Sequence, residues 1–321
     1  MLQSKRSWVL IFAVTVGHPA AAQDYPTKPI RVIVTGGAGG STDVVARVVG
    51  DKLSGALGQP LVYDNRPGAS GVISAELAAK AAPDGYTMFL GTLGGLAINL
   101  SLFKKLPYDP ARDFAPITLV GRQPYMLIVH PSVPAKSVAD LVKLAKRAPG
   151  RIAFSHTGVG SATHLAGALL ESIAGVEFLS VAYKSPAHFT AVISGEVSFT
   201  ITSIYLSWPQ VQAGKLTALA VTGRQRSTAA PVVPTMMEAG VPDYDMGNWY
   251  GLLMPAATPP AIVNLVSVKA NEILKRPDTR AALAKAEVDA AGSTPQEFAK
   301  FIGNETVKYA ALIKRTGIKA E

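Results

Sequence analysis

Apolar residues follow two spacings along this chain, and their alternation sets its class. Pro29-Ile30-Arg31-Val32-Ile33-Val34-Thr35 is β-branched and almost unbroken, the pattern of a parallel strand buried on both faces. Gly36-Gly37-Ala38-Gly39-Gly40 then forces a loop. Beyond it Val44, Val45, Val48, Val49 and Leu53 recur at helical spacing. Ser41 or Thr42 stands where a helix takes its N-cap, with Asp43 in the first turn and Gly55 and Gly58 near the end. The same unit returns in the second half of the chain. Arg31, Thr35, Gly40, Ser41 and Gly55 align without a gap on Arg151, Ser155, Gly160, Ser161 and Gly175. There a strand at 151–155, the loop His156-Thr157-Gly158-Val159-Gly160 and a helix at 162–173 capped by Ser161 are predicted.

The remaining pattern continues the alternation. Apolar runs at 60–63, 86–91, 115–120, 125–130, 176–183, 215–222 and 248–254 read as strands. The run at 115–120 is separated from that at 125–130 by Gly121-Arg122-Gln123-Pro124. Helices are expected at 72–81, at 138–147 behind the capping pair Ser137 and Asp140, from Pro259-Pro260, and from the capping box Thr294-Pro295-Gln296-Glu297 through Ile313. This is an α/β chain. No Ser/Gly linker divides it, so two lobes would meet through extended crossings near Thr118–Tyr125 and Asp245–Leu253. That makes the first lobe discontinuous, 23–121 plus 249–321, around a second lobe at 122–248. Each lobe is expected to be a mostly parallel sheet flanked by helices, with a ligand cleft between them.

Residues 1–22 carry a different signal. Lys5 and Arg6 precede a short apolar run from Trp8 to Gly17, followed by Ala20-Ala21-Ala22. This is the layout of a cleaved signal peptide, and the run is shorter than the roughly 20 residues a membrane-spanning helix needs. Cleavage after Ala22 would leave an exported protein.

Composition then removes whole classes of chemistry. The chain has no Cys, which excludes disulfides, thiolate metal sites and cysteine nucleophiles. Gly37-x-Gly39 follows a strand, but Thr42 stands where a dinucleotide fingerprint needs its third glycine. Neither a P-loop nor a Gly-x-Ser-x-Gly elbow occurs. His130, His156, His164 and His188 lack the acid partners and spacing of a metal site, so neither metal nor cofactor is expected. The net charge of +9 is spread along the chain without an aromatic-interleaved basic stripe, which argues against nucleic acid and leaves two readings, a mild field that gathers small anions or simply a solvated surface with a high pI.

The positive signal lies in the two glycine loops. Each is rich in Gly, Ser and Thr and delivers a helix N-terminus, where free N–H groups and the helix dipole suit a carboxylate. Gly39, Gly40, Ser41, Thr42 and Asp43 form one candidate set, and Thr157, Gly160, Ser161, Thr163 and His164 the other. Alternatively, Ser41 and Ser161 are helix caps and nothing more.

Several segments resemble the receptors of tripartite tricarboxylate transporters, the Bug proteins. They include Tyr25-Pro26-x-Lys28-Pro29-Ile30-Arg31, Gly39-Gly40-Ser41-Thr42-Asp43, Asn65-Arg66-Pro67-Gly68-Ala69, Ala82-Pro83-Asp84-Gly85-Tyr86-Thr87, Ala213-Gly214-Lys215-Leu216 and Trp249-x-Gly251. The resemblance implies a monomeric, periplasmic, two-lobed binding protein that closes on an organic acid and hands it to two membrane subunits. It adds Thr92, Asn99, Tyr183, Thr202 and Ser203 to the ligand site. Two departures stand out. Thr35-Gly36-Gly37-Ala38 replaces a common Phe-Pro-Pro, and Thr202 stands where an acid is common. The missing acid disfavours amino-acid ligands, and Tyr205 and Trp208 line either the cleft or the core. A non-amino dicarboxylate, aliphatic or aromatic, is therefore expected ahead of citrate-like acids. A ligand-presenting sensor with the same fold is the first alternative. A secreted hydrolase is the second, although no nucleophile–base set supports it.

Overall fold

The computed structural model describes residues 25–183 and 187–319; the signal segment at 1–22 lies outside the described residues. The order is β1 (Ile30–Val34), α1 (Ser41–Leu57), β2 (Leu61–Asn65), α2 (Val72–Ala79), β3 (Thr87–Thr92), a π-turn (Gly94–Ile98) running into α3 (Asn99–Leu102), and β4 (Phe114–Val129). Then come α4 (Val138–Arg147), β5 (Ala153–His156), α5 (Ala162–Ala174), β6 (Leu179–Ala182), α6 (Ala187–Ile193), β7 (Phe199–Ser203), α7 (Ile204–Gln212) and β8 (Thr217–Val221). The chain closes with β9 (Gly247–Pro255), α8 (Pro260–Lys275), α9 (Pro277–Lys285), β10 (Asp289–Ala290) and α10 (Pro295–Thr316).

Two sheets share one strand. In the first lobe β2-β1-β3-β9-β4 lie side by side, with β10 on the far edge of β4. In the second, β4 lies between β7 and β8, and β5 and β6 continue the sheet beyond β7. The outer strands of both sheets, β2-β1-β3 and β6-β5-β7, are parallel. The central pairs are antiparallel, because β9 brings the chain back alongside the strand that left.

The break expected at 121–124 does not occur. Gly121, Arg122, Gln123 and Pro124 are extended and pair with Tyr250, Trp249, Asn248 and Gly247 of β9. Pro124 has no N–H to give to a ladder, and it sits where β4 passes from β9 to β7, which it meets at Tyr125.

Three cores follow from this layout. α1, α8 and α9 cover one face of the first sheet over Val32, Val34, Met88, Leu90, Ile117 and Tyr250. On the other face a continuous core runs from Ile33 and Phe89 through Phe298 and Tyr309 of α10 to Phe154 and Phe199 of the second lobe. A third, around Met126, Ile128 and Ile204, sits under α6 and α7. Trp208 packs against this third core, whereas Tyr205 remains 62% exposed; the pair divides between core and surface.

Gly251 in β9 lets α10 approach the sheet. A Cβ there would lie 2.0 Å from Phe298 Cζ, closer than any packed pair of carbons. Gly251→Ala is expected to cost about 1–3 kcal/mol by overpacking, and less when combined with Phe298→Leu. Urea unfolding of the two single variants and the double variant measures this; additive costs would show that the two sites do not meet.

Candidate functional site

The first glycine loop leaves β1 at Val34 and enters α1. Its N-cap is Gly40, with no side-chain cap bond, so the expected Ser41 or Thr42 cap is corrected. Asp43 braces the loop instead. Its Oδ2 accepts the Gly39 N–H at 2.9 Å and Arg47 Nε at 3.0 Å. Asn65 Nδ2 donates to Asp43 Oδ1 and to the Gly36 carbonyl, both at 3.2 Å. Burial pushes the Asp43 carboxyl up, but these donors outweigh it and hold the group below the usual carboxylate range. Asp43 is 3% exposed and its charge is spent within the loop.

Relieved of capping, Ser41 is exposed at the first turn of α1. It lies beside the hydroxyl of Tyr250, which donates to Gln123 Oε1 at 2.6 Å. Thr42 is half-buried under the loop, next to Gly36. Gly55 falls inside α1, and Gly58, in the left-handed region at φ 73°, closes the helix.

The second loop is built the other way. Ser161 caps α5 by accepting the His164 N–H at 3.2 Å. Thr163 Oγ1 accepts the Thr157 N–H and lies 3.0 Å from the hydroxyls of Thr157 and Ser161. The Gly160 N–H donates to His164 Nδ1 at 3.0 Å, and the His156 and His164 rings stack at 4.2 Å. His156 Nδ1 lies 2.9 Å from the Gly158 carbonyl oxygen, and its Nε2 lies 2.8 Å from Ser180 Oγ. Burial pushes His156 down, and pushes His164 and His188 down to about 4, with His156 adding to both. At neutral pH these rings are uncharged, so the loop presents neutral donors.

Gly160 also marks where the lobes approach. A Cβ on it would sit 2.4 Å from Leu102 Cδ1 in α3 of the first lobe. Asn99, one turn before, is fully buried; its Nδ2 donates to the Ser70 carbonyl at 3.2 Å and its Oδ1 has no partner. Thr92 ends β3 nearly buried. The remaining residues are less convergent. Tyr183 donates its hydroxyl to Glu196, and Thr202 Oγ1 lies 3.1 Å from His188 Nε2. Ser203 ends β7, and its carbonyl accepts from Ser207. No group of three His, Asp or Glu among the described residues could hold a metal ion.

Sequence reasoning gave no role to Gln123 and Tyr250, which lie on the crossing strands and look like ordinary strand residues. It quoted the Gly68-Ala69 turn but not its backbone: Ala69 and Ser70 hold φ of 45° and 51°, unusual for residues with a Cβ. A non-glycine pair between Gly68 and Gly71 was the only available signal.

With this geometry in view, comparison with known proteins is specific. Residues 45–318 match the family model described as the tripartite tricarboxylate transporter family receptor. The chain is 36% identical to BugT of Bordetella pertussis, covering 96% of each protein. A structure from R. palustris solved with adipate superposes with a TM-score of 0.83 at 34% identity, over 92% of this chain and 99% of that one. The Rhodopseudomonas palustris protein MatC, solved with malate, gives 0.78 at 29% identity over 90% and 100%. The periplasmic binding protein BugD gives 0.79 at 28% identity over 92% and 100%.

Two expectations follow from the local bonding. Ser161→Ala should cost about 1 kcal/mol through the lost cap, whereas Ser41→Ala should stay within about 0.5 kcal/mol; thermal unfolding distinguishes them. The histidines set a pH dependence. His188 has a folded pKa near 4 against 6.5 for a free imidazole, so the unfolded chain takes up the proton first. Stability should therefore fall as pH drops from about 6.5 to about 4. His188→Gln should flatten that slope in urea midpoints measured at intervals across the window; an unchanged slope would exclude His188 as a contributor.

Proposed function

The chain belongs to the tripartite tricarboxylate transporter receptor family, whose members are solute-binding receptors and not enzymes, and on that premise we propose that it captures a small organic acid between its glycine loops and delivers it to two membrane subunits of such a transporter. Residues 23–121 with 249–321 form one jaw and 122–248 the other. In this reading the protein is exported with its signal peptide removed and acts as a monomer. Among the described residues no helix is long and apolar enough to cross a membrane.

The observation that carries the reading is the matched pair of helix N-termini on the two lobes, one preceded by exposed Gly37 to Gly40 and the other by half-buried Thr157 and Gly158 and buried Gly160. Such termini offer N–H groups, hydroxyls and dipoles to a carboxylate. The binding set is Gly39 to Thr42 on one side and Thr157, Gly160, Ser161, Thr163 and His164 on the other. Asp43, Thr92, Asn99, Tyr183, Thr202 and Ser203 support or border it. Thr202 is paired with His188 and Asp43 with Arg47, so neither supplies a free anion for a ligand ammonium. The ligand is therefore a non-amino acid, and a dicarboxylate, aliphatic or aromatic, comes first. The adipate and malate bound by the two relatives are of that chemical kind.

A thermal-shift screen against mono-, di-, tri- and aromatic carboxylates tests this. Ligand at 100 times its dissociation constant should add about 2.7 kcal/mol of stability. Absence of stabilisation by every acid would remove the receptor reading. Tight binding of aspartate together with no binding of succinate would remove the preference for non-amino acids.

A further inference from the structure

Beside the glycine loops, on the face covered by α1 and α9, the lobes leave a cavity of about 260 Å³. Ser41 and Val44 of α1, Gln123 of the crossing strand, Lys285 at the end of α9 and Tyr205 of the second lobe line it. The end of α9 is held there because Gln123 Nε2 donates to the Ala286 carbonyl at 3.2 Å. Val44 and Tyr205 are large apolar groups left 38% and 62% exposed on opposite lobes, and they share this one space. Arg47, on α1 beside the lining residues Ser41 and Val44, is committed to Asp43. Lys285 pairs with no acid among the described residues.

We propose that this cavity is the specificity extension of the carboxylate site. One carboxylate rests on the glycine loop at Ser41, the carbon chain lies between Val44 and the Tyr205 ring, and a second carboxylate meets the Lys285 ammonium. The inference rests on the receptor reading above and adds what that reading lacks, a positive charge. Neutral donors at the two loops fix one carboxylate but do not distinguish a diacid from the monoacid of equal length. A single cation at the far end of an apolar space does, and the length of that space sets the chain length. Because Lys285 is exposed, the contact is screened by salt.

Titration calorimetry with diacids from succinate to suberate, and with hexanoate as the monoacid matched to adipate, tests the assignment. Wild-type protein should bind its best diacid at least about tenfold more tightly than the matched monoacid, a gap comparable to one charged hydrogen bond. Lys285→Ala should reduce that ratio at least threefold, leave monoacid affinity unchanged and keep the melting temperature. Lys285→Arg should retain the preference, and added salt should weaken the diacid more than the monoacid. Tyr205→Ala should weaken both. An unchanged diacid-to-monoacid ratio in Lys285→Ala overturns the proposal. If only carboxylates outside the diacid series bind, the proposal falls and the receptor reading stands; if no carboxylate binds, both fall.

Discussion

One strand belongs to both sheets, and the rest of the molecule is arranged around that constraint. β4 pairs with β9 over its first half and with β7 and β8 over its second. A single backbone ladder therefore carries the chain from one lobe to the other, and β9 returns antiparallel beside it. Glycines give this pair its close packing. Gly247 has no room for a Cβ, which would lie 2.6 Å from the Gln123 backbone carbonyl oxygen, and a Cβ on Gly121 would lie 2.5 Å from Val288 Cγ1. The crossing is thin in side chains but continuous in hydrogen bonds. The core that runs through α10 from the first lobe to the second packs alongside this pair.

The crossing also sets where chemistry can occur. Parallel strands deliver their loops at their carboxyl ends, and ligands of open α/β sheets bind there. β1 and β5 each end in a glycine loop and a helix N-terminus. Gln123 is the joint between hinge and site. Its side-chain Oε1 accepts from the Tyr250 hydroxyl, beside Ser41, and its Nε2 donates to the Ala286 carbonyl at the end of α9. Movement of the crossing is thus coupled by direct hydrogen bonds to the surroundings of Ser41 and Lys285.

Much of this was legible in the sequence, for identifiable reasons. The buried strand Ile30–Val34, the helix Val138–Arg147 and the capping box at Thr294 are local signals, set by β-branched runs and cap chemistry. The extended crossings were visible as apolar segments without helical spacing. Pairing was not. Gly121 to Pro124 look like a turn, and only β9 on one side and β10 on the other make them strand. The cap of α1 was misread because Ser41 is a good cap by type. The structure instead uses Gly40, with Asp43 reaching back to the Gly39 N–H, a choice that depends on Asn65 of β2 and on Arg47 one turn along α1. Lys285 and Tyr205 are far apart in sequence, and no periodicity connects them.

The two loops share a motif but not a mechanical state. In the second, Ser161, Thr163, Thr157 and the stacked His156–His164 pair satisfy one another, so its donors are fixed before any ligand arrives. In the first, Asp43 holds Gly39 and Asn65 holds Gly36, while Gly37 to Ser41 are exposed and Ser41 makes no cap bond. A preorganised loop costs little ordering entropy on binding and favours affinity, whereas an unsatisfied, glycine-rich loop adapts at an entropic cost. On the proposed function, the second lobe would present fixed donors while the first adjusts to the ligand. Variation in ligand among such receptors is then expected to concentrate around the first loop and its neighbours on α9 and α7. There Val44, Tyr205 and Lys285 are exposed side chains that the cores do not include.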